Sequence, residues 1–209
     1  YKKYSGHIDA AVMVSGNSMS HIYLRKDNDW GKNYTYKDSE GLVDKLLSYE
    51  GIDIVMTRNE KGQIVIKSKR GMALLEDKET GVIYTPLLND PFGYNGIKDY
   101  LTYDEVLDLT FDTLYPDSLT QIVQIFKSAR CGDIVISAQT GYDLRRDFEI
   151  PEHKSSHGSL KSDHMHVPLI MNKKVPISRI RTVDLFPTIL DFLSLPCSTK
   201  IDGKKLDIY

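Results

Sequence analysis

The sequence predicts an α/β fold, with a partly parallel sheet flanked by helices and a small β-rich insertion over residues 51–100. Three observations carry this reading. An amphipathic stretch over 118–129 runs into a short apolar run, Ile134-Val135-Ile136, which is the helix-then-strand order of a parallel crossover. Apolar residues also recur at helical spacing over 42–47 and 185–193. Between these helical patterns, residues 52–84 fall into short apolar and alternating runs separated by turn residues, as in antiparallel hairpins.

Taken in order, Ala10 to Val14 and His21 to Leu24 read as two strands joined by the turn Gly16-Asn17-Ser18. His21 on an alternating strand is a packed or surface histidine. Residues 38–50 form a helix with Leu42, Val43, Leu46 and Leu47 on one face, started by Asp38 or Ser39 and ended by Gly51. The runs IDIVMTR, GQIVIKSK and GMALLED are three strands, with a turn at Asn59-Glu60-Lys61-Gly62 and a fourth strand at Val82-Ile83-Tyr84. Residues 89–98 are loop. Phe92 and Tyr94 in it either line a pocket or anchor the loop to the core, and the anchor is favoured.

Thr102 and Glu105 form a capping box that opens a helix over 102–114. Tyr115-Pro116-Asp117 breaks it and caps the next helix, which ends at Arg130-Cys131-Gly132 before the strand over 133–138. A second apolar run, Val167 to Met171, follows the next loop. The last helix spans 182–195, with Leu185, Phe186, Ile189, Leu190 and Leu193 inward and Pro187 in its first turn, where a missing N–H costs little. Asp184 near its start has a structural role.

A chain of 209 residues holds one domain with a good core, or a domain and a small appendage. The 41% hydrophobic and 27% charged fractions are those of an ordinary globular protein. A net charge of -2 gives no electrostatic footprint for a nucleic-acid polymer. No apolar run is long enough for a transmembrane helix. Cys131 and Cys197 fit no metal spacing and read as buried free thiols, with a disulfide open as the other possibility.

The chemistry concentrates after the strand over 133–138. Four of the six histidines, His153, His157, His164 and His166, fall in the polar loop that follows, among Asp143, Asp147 and Asp163. Imidazole and carboxylate are ligands for zinc and similar ions, and such loops hold ligand sites in α/β folds. Clustered loop histidines are also commonly just solvated. His153 and His157 would share a helix face, but Pro151, Ser155-Ser156 and Gly158 favour loop. His164 and His166 would share a strand face, one of them structural. Lys161, Arg145 and Arg146 could attract an anionic substrate or simply be solvated.

Several short elements in the last third occur in a telling order: His157-Gly158, then Val167-Pro168-Leu169, then Val183-Asp184 with Pro187-Thr188, then Asp202-Gly203. This series resembles the C-terminal end of the alkaline phosphatase superfamily, specifically the type I phosphodiesterase/nucleotide pyrophosphatase branch. GNSMSHIYL over 16–24 and the Tyr-Pro-Asp helix are similar to segments of that branch too. The resemblance implies an alkaline-phosphatase-like fold and two divalent metal ions, usually zinc, in the intact enzyme. It implies a phosphate ester or diester as substrate and a Thr or Ser nucleophile. It carries one metal ligand onto this chain, His157, with Ser155, Ser156 and Ser159 as groups that orient the loop.

The family's Asp-His-Gly segment has no counterpart, since Asp163-His164 is followed by Met165, and no nucleophile segment is present. The resemblance therefore makes residues 1–209 a single C-terminal lobe of a larger enzyme, with Tyr1 falling just after the missing ligands. A sulfatase or phosphomutase of the same superfamily, or a non-catalytic binding module, are the other readings.

Overall fold

The computed structural model describes residues 8–97, 99–145, 155–172, 179–198 and 200–207. The chain divides into two compact units, one up to His166 and one from Val167 onward.

The first unit is built on one sheet of eight strands: β1 (Ala10–Ser15), β2 (Met19–Leu24), β3 (Ile52–Arg58), β4 (Ile64–Ser68), β5 (Met72–Lys78), β6 (Gly81–Pro86), β7 (Asp99–Thr102) and β8 (Ile134–Ala138). Their spatial order is β1-β2-β8-β3-β4-β5-β6-β7. Every neighbouring pair is antiparallel. This overturns the expected partly parallel, alkaline-phosphatase-like sheet. The strands of the expected insertion, β3 to β7, continue this same sheet.

Two features set β8 apart from the parallel crossover that the helix-then-strand order predicts. Its run Ile-Val-Ile-Ser-Ala is buried throughout, as central strands of parallel sheets are. Here the burial comes from helices on both faces of an antiparallel sheet. On one face Ile134 and Ile136 pack with Val55, Ile22, and Val43 and Leu47 of α1 (Tyr36–Leu47). On the other, Val135 packs with Ile54, Met56, Ile66 and Leu75, under Val106 of α2 (Tyr103–Thr110) and Leu119, Ile122, Val123 and Phe126 of α3 (Ser118–Lys127). Secondly, a parallel crossover uses one helix, whereas two helices separate β7 from β8, and β8 lands between β2 and β3 rather than beside β7.

The helix termini follow local chemistry. The Thr102 hydroxyl accepts from the Glu105 N–H, and the Glu105 carboxylate accepts from the Thr102 N–H at 2.8 Å, so the expected capping box opens α2. In α1 the cap is Thr35 rather than Asp38 or Ser39, and Asp38 is the carboxylate that closes the box on the Thr35 N–H at 3.0 Å. Phe92 and Tyr94 are buried and cluster with Tyr84 and Tyr115, with ring centroids of Phe92 lying 5.2 Å from those of Tyr94 and Tyr115. They anchor their loop to the core.

The second unit holds a 3-10 turn, Thr182–Asp184, running into a helix, Leu185–Phe192, which is shorter than expected. Its buried positions are Pro187 and Thr188, while Phe186, Ile189 and Leu193 are exposed, against the expected inward face. Asp184 is buried, and its carboxylate accepts from the N–H groups of Arg181 and Lys204, both at 2.9 Å. Its role is structural, as expected. Val167 to Met171 forms no strand and is exposed. Cys197 is exposed too, and Cys131 is a half-buried free thiol that burial pushes up to about 11. No helix among the described residues is long and apolar enough to cross a membrane.

Candidate functional site

The segment after β8 is where sequence chemistry and structure meet. Its described part, residues 155–166, is fastened to the sheet at two places. The first is the turn between β1 and β2. The Ser18 N–H donates to the His157 carbonyl at 3.1 Å, and the His157 N–H donates to the Gly16 carbonyl at 3.2 Å. The Ser18 and Ser156 hydroxyls are 2.6 Å apart. These bonds make Asn17 and His157 a short parallel bridge between the turn and the loop.

The approach is close enough to explain the glycines. A Cβ on Gly16 would stand 2.5 Å from His157 Nδ1. Gly158 has φ +103, and a Cβ there would stand 2.8 Å from the Ser15 carbonyl oxygen. The His-Gly pair thus has a backbone reason: only glycine lets the chain turn away immediately after the histidine. His157 itself is exposed, and its imidazole makes no hydrogen bond to the described residues. Its main chain is fixed and its ring is available to a ligand.

The second fastening lies at residues 159–162. The Leu160 N–H donates to Ser137 Oγ at 3.1 Å, Ser118 Oγ donates to the Leu160 carbonyl at 3.3 Å, and the Ser162 N–H donates to the Leu114 carbonyl at 2.9 Å. Lys161 follows, 9% exposed. Its ammonium donates to Gln139 Oε1 and lies 3.9 Å from Asp53 Oδ2. Lys161 is therefore part of the fold's interior, not the solvated anion attractor that its place in a polar loop suggests.

Asp53 is the residue that sequence reading missed. It lies on β3 and is 2% exposed. Arg70 Nη1 and Gln139 Nε2 both stand 3.0 Å from Oδ1, and the Tyr115 hydroxyl donates to Oδ2 at 2.6 Å. Arg70 Nη2 also donates to the Tyr115 hydroxyl at 2.7 Å. Burial, with the Asp53 carboxylate beside it, pushes the Tyr115 phenol up, so it stays a donor. The signal was available in sequence: one carboxylate interrupts an otherwise apolar strand, Ile52-Asp53-Ile54-Val55-Met56.

The other singled-out residues do not converge with His157. Asp163 accepts from the Thr140 hydroxyl at 3.0 Å. His164 is on a short helix, Ser162–Met165, rather than a strand, and its Nδ1 accepts from the Ser159 N–H at 3.2 Å. The His166 ring packs 4.7 Å from Phe111. Asp143 accepts from the Arg145 N–H at 2.7 Å and pairs with its guanidinium. His21 is packed: its Nδ1 accepts from the Gly132 N–H at 3.2 Å, and burial lowers its pKa. Ser156 holds the loop through Ser18, and Ser159 Oγ accepts from the Lys161 N–H at 3.3 Å. Arg146, Asp147, Pro151 and His153 lie outside the described residues.

Among the described residues no three His, Cys, Asp or Glu side chains gather as a metal-binding group. A zinc site takes three or four protein ligands. The described residues around His157 supply no such set. Comparison with protein-family models, with curated proteins and with solved structures gives no match.

Proposed function

We propose that this chain is the C-terminal part of a metal-dependent phosphodiesterase or nucleotide-pyrophosphatase-like hydrolase, to which it contributes one metal-binding histidine, His157. The observation that supports this is a histidine held by its main chain against the Gly16 carbonyl while its imidazole stays exposed and unbonded among the described residues. A structural histidine spends its ring on the fold, as His21 and His164 do. The reading rests on this segment and not on the sheet.

The chain's own contribution is positional. Ser156 and Ser18 lock the loop beside the β1–β2 turn, and Gly158, at a φ of +103, lets the chain after His157 pass close to the Ser15 carbonyl. A divalent metal bound by His157 together with ligands from elsewhere would polarise a phosphoryl oxygen and activate the nucleophile. The substrate class is a phosphate ester or diester. A non-catalytic module is the second reading, and it is favoured by the engagement of Asp163 and His164 in hydrogen bonds of the fold.

Zinc titration followed by NMR of the histidine ring signals separates the two. The hydrolase reading expects weak, saturable perturbation centred on the His157 ring and absent in His157→Ala. Zinc effects spread evenly over all exposed histidines, or none at His157, would overturn it.

A further inference from the structure

A carboxylate buried in the middle of a sheet needs a reason. Burying a charge costs several kcal/mol unless it is paired, and well-packed apolar residues are often as stable as a buried ion pair. Stability alone is therefore a poor account of Asp53. What such a pair supplies is fixed geometry.

The partners of Asp53 are distributed in an informative way. Arg70 comes from the β4–β5 connection and Tyr115 from the α2–α3 connection. The other two come from one loop. Gln139 is the first residue after β8, and Lys161 is the third residue after the Ser-Ser-His-Gly segment. Gln139 and Lys161 are also bonded to each other, side chain to side chain. Asp53 thus closes the stem of the loop that starts at Gln139 and returns at Lys161. His157 sits four residues before the closure.

We infer that Asp53 and Lys161 are positioning residues: their buried clamp at the foot of the 139–161 loop sets where the His157 imidazole is presented. The role deepens the reading of His157 as a metal ligand and rests on it. Without the clamp His157 keeps its main-chain bonds to Gly16 and Ser18, and the stem keeps those at Leu160 and Ser162, but the stem loses its only ion pair with β3 among the described residues. Outer groups that orient a ligand change metal affinity by about 10–100-fold when removed. Lys161→Met removes the ammonium and keeps an apolar stem of similar length. Lys161→Arg keeps the charge.

The test uses the full chain and three variants, Lys161→Met, Lys161→Arg and Asp53→Asn, with zinc alone as the probe. Two readouts are taken: amide hydrogen exchange residue by residue, and zinc perturbation of the His157 ring. In Lys161→Met and Asp53→Asn, exchange at Gly158 to Ser162 is expected to rise about tenfold or more over that of β5 and β6. Zinc at His157 should weaken in parallel, and Lys161→Arg should restore both. An equal rise across stem and sheet, which is what a merely stabilising role gives, would overturn the inference. So would an unchanged stem. If Asp53→Asn does not fold, Lys161→Met decides alone. Should the parent chain show no zinc at His157, the ligand reading fails while the exchange readout still decides the clamp.

Discussion

His21 and His157 show how one side-chain type takes two roles in one chain. His21 accepts a hydrogen bond from the Gly132 N–H on Nδ1, which requires the neutral ring, and burial lowers its pKa from 6.5. The unfolded chain therefore takes up this proton first as pH falls. The stability that His21 supplies is fully present above pH 6.5 and is lost as pH drops through its lower folded value. Urea unfolding at pH 7 and pH 5 checks this. The midpoint should fall at the lower pH, and a His21→Asn variant should lose most of that pH dependence. His157, by contrast, engages the fold through its main chain, and its ring makes no hydrogen bond to the described residues. The final Asp-Gly pair has a similar backbone reason, since a Cβ on Gly203 would stand 2.1 Å from the Val183 carbonyl oxygen. Gly158 and Gly203, two of the residues that carry the resemblance, are thus also residues that the local backbone demands.

The elements that were legible in sequence are those governed by local rules. The capping box at Thr102, the β1–β2 turn, the hairpins from β3 to β6 and the aromatic anchor at Phe92 and Tyr94 all follow from neighbours along the chain. Thr102→Ala removes both the acceptor for the Glu105 N–H and the partner of its carboxylate. It should cost about 1 kcal/mol of stability by chemical denaturation, with α2 amides exchanging faster. What failed locally is the second unit's helix. Its apolar spacing predicts an inward face at Phe186, Ile189 and Leu193, yet these are exposed, and its buried positions are Pro187 and Thr188. Spacing marks which residues share a face, but not whether anything covers that face.

At the scale of the molecule, strand order was not legible. The helix-then-strand order before β8 suggested a parallel strand, because sequence records the order of elements and not their direction in the sheet. The antiparallel order depends on β8 inserting between β2 and β3, a pairing set by residues more than 75 positions away, such as Ile136 with Val55 and Ser20. The candidate site was legible in part. His157 was singled out through the His157-Gly158 pair, whereas the Asp53 clamp joins five separate stretches of chain and has no linear signature beyond one acid in an apolar strand.

Under the proposed reading this chain presents one metal-binding histidine and not a complete metal site. Equilibrium dialysis against zinc, run beside hydrolysis of a simple aryl phosphodiester, tests it directly. The account predicts that the chain retains no tightly bound stoichiometric zinc and shows no turnover, while weak zinc binding disappears in His157→Ala. Tight zinc with turnover, both lost in His157→Ala, would contradict it and show that the loop after β8 builds a working site by itself.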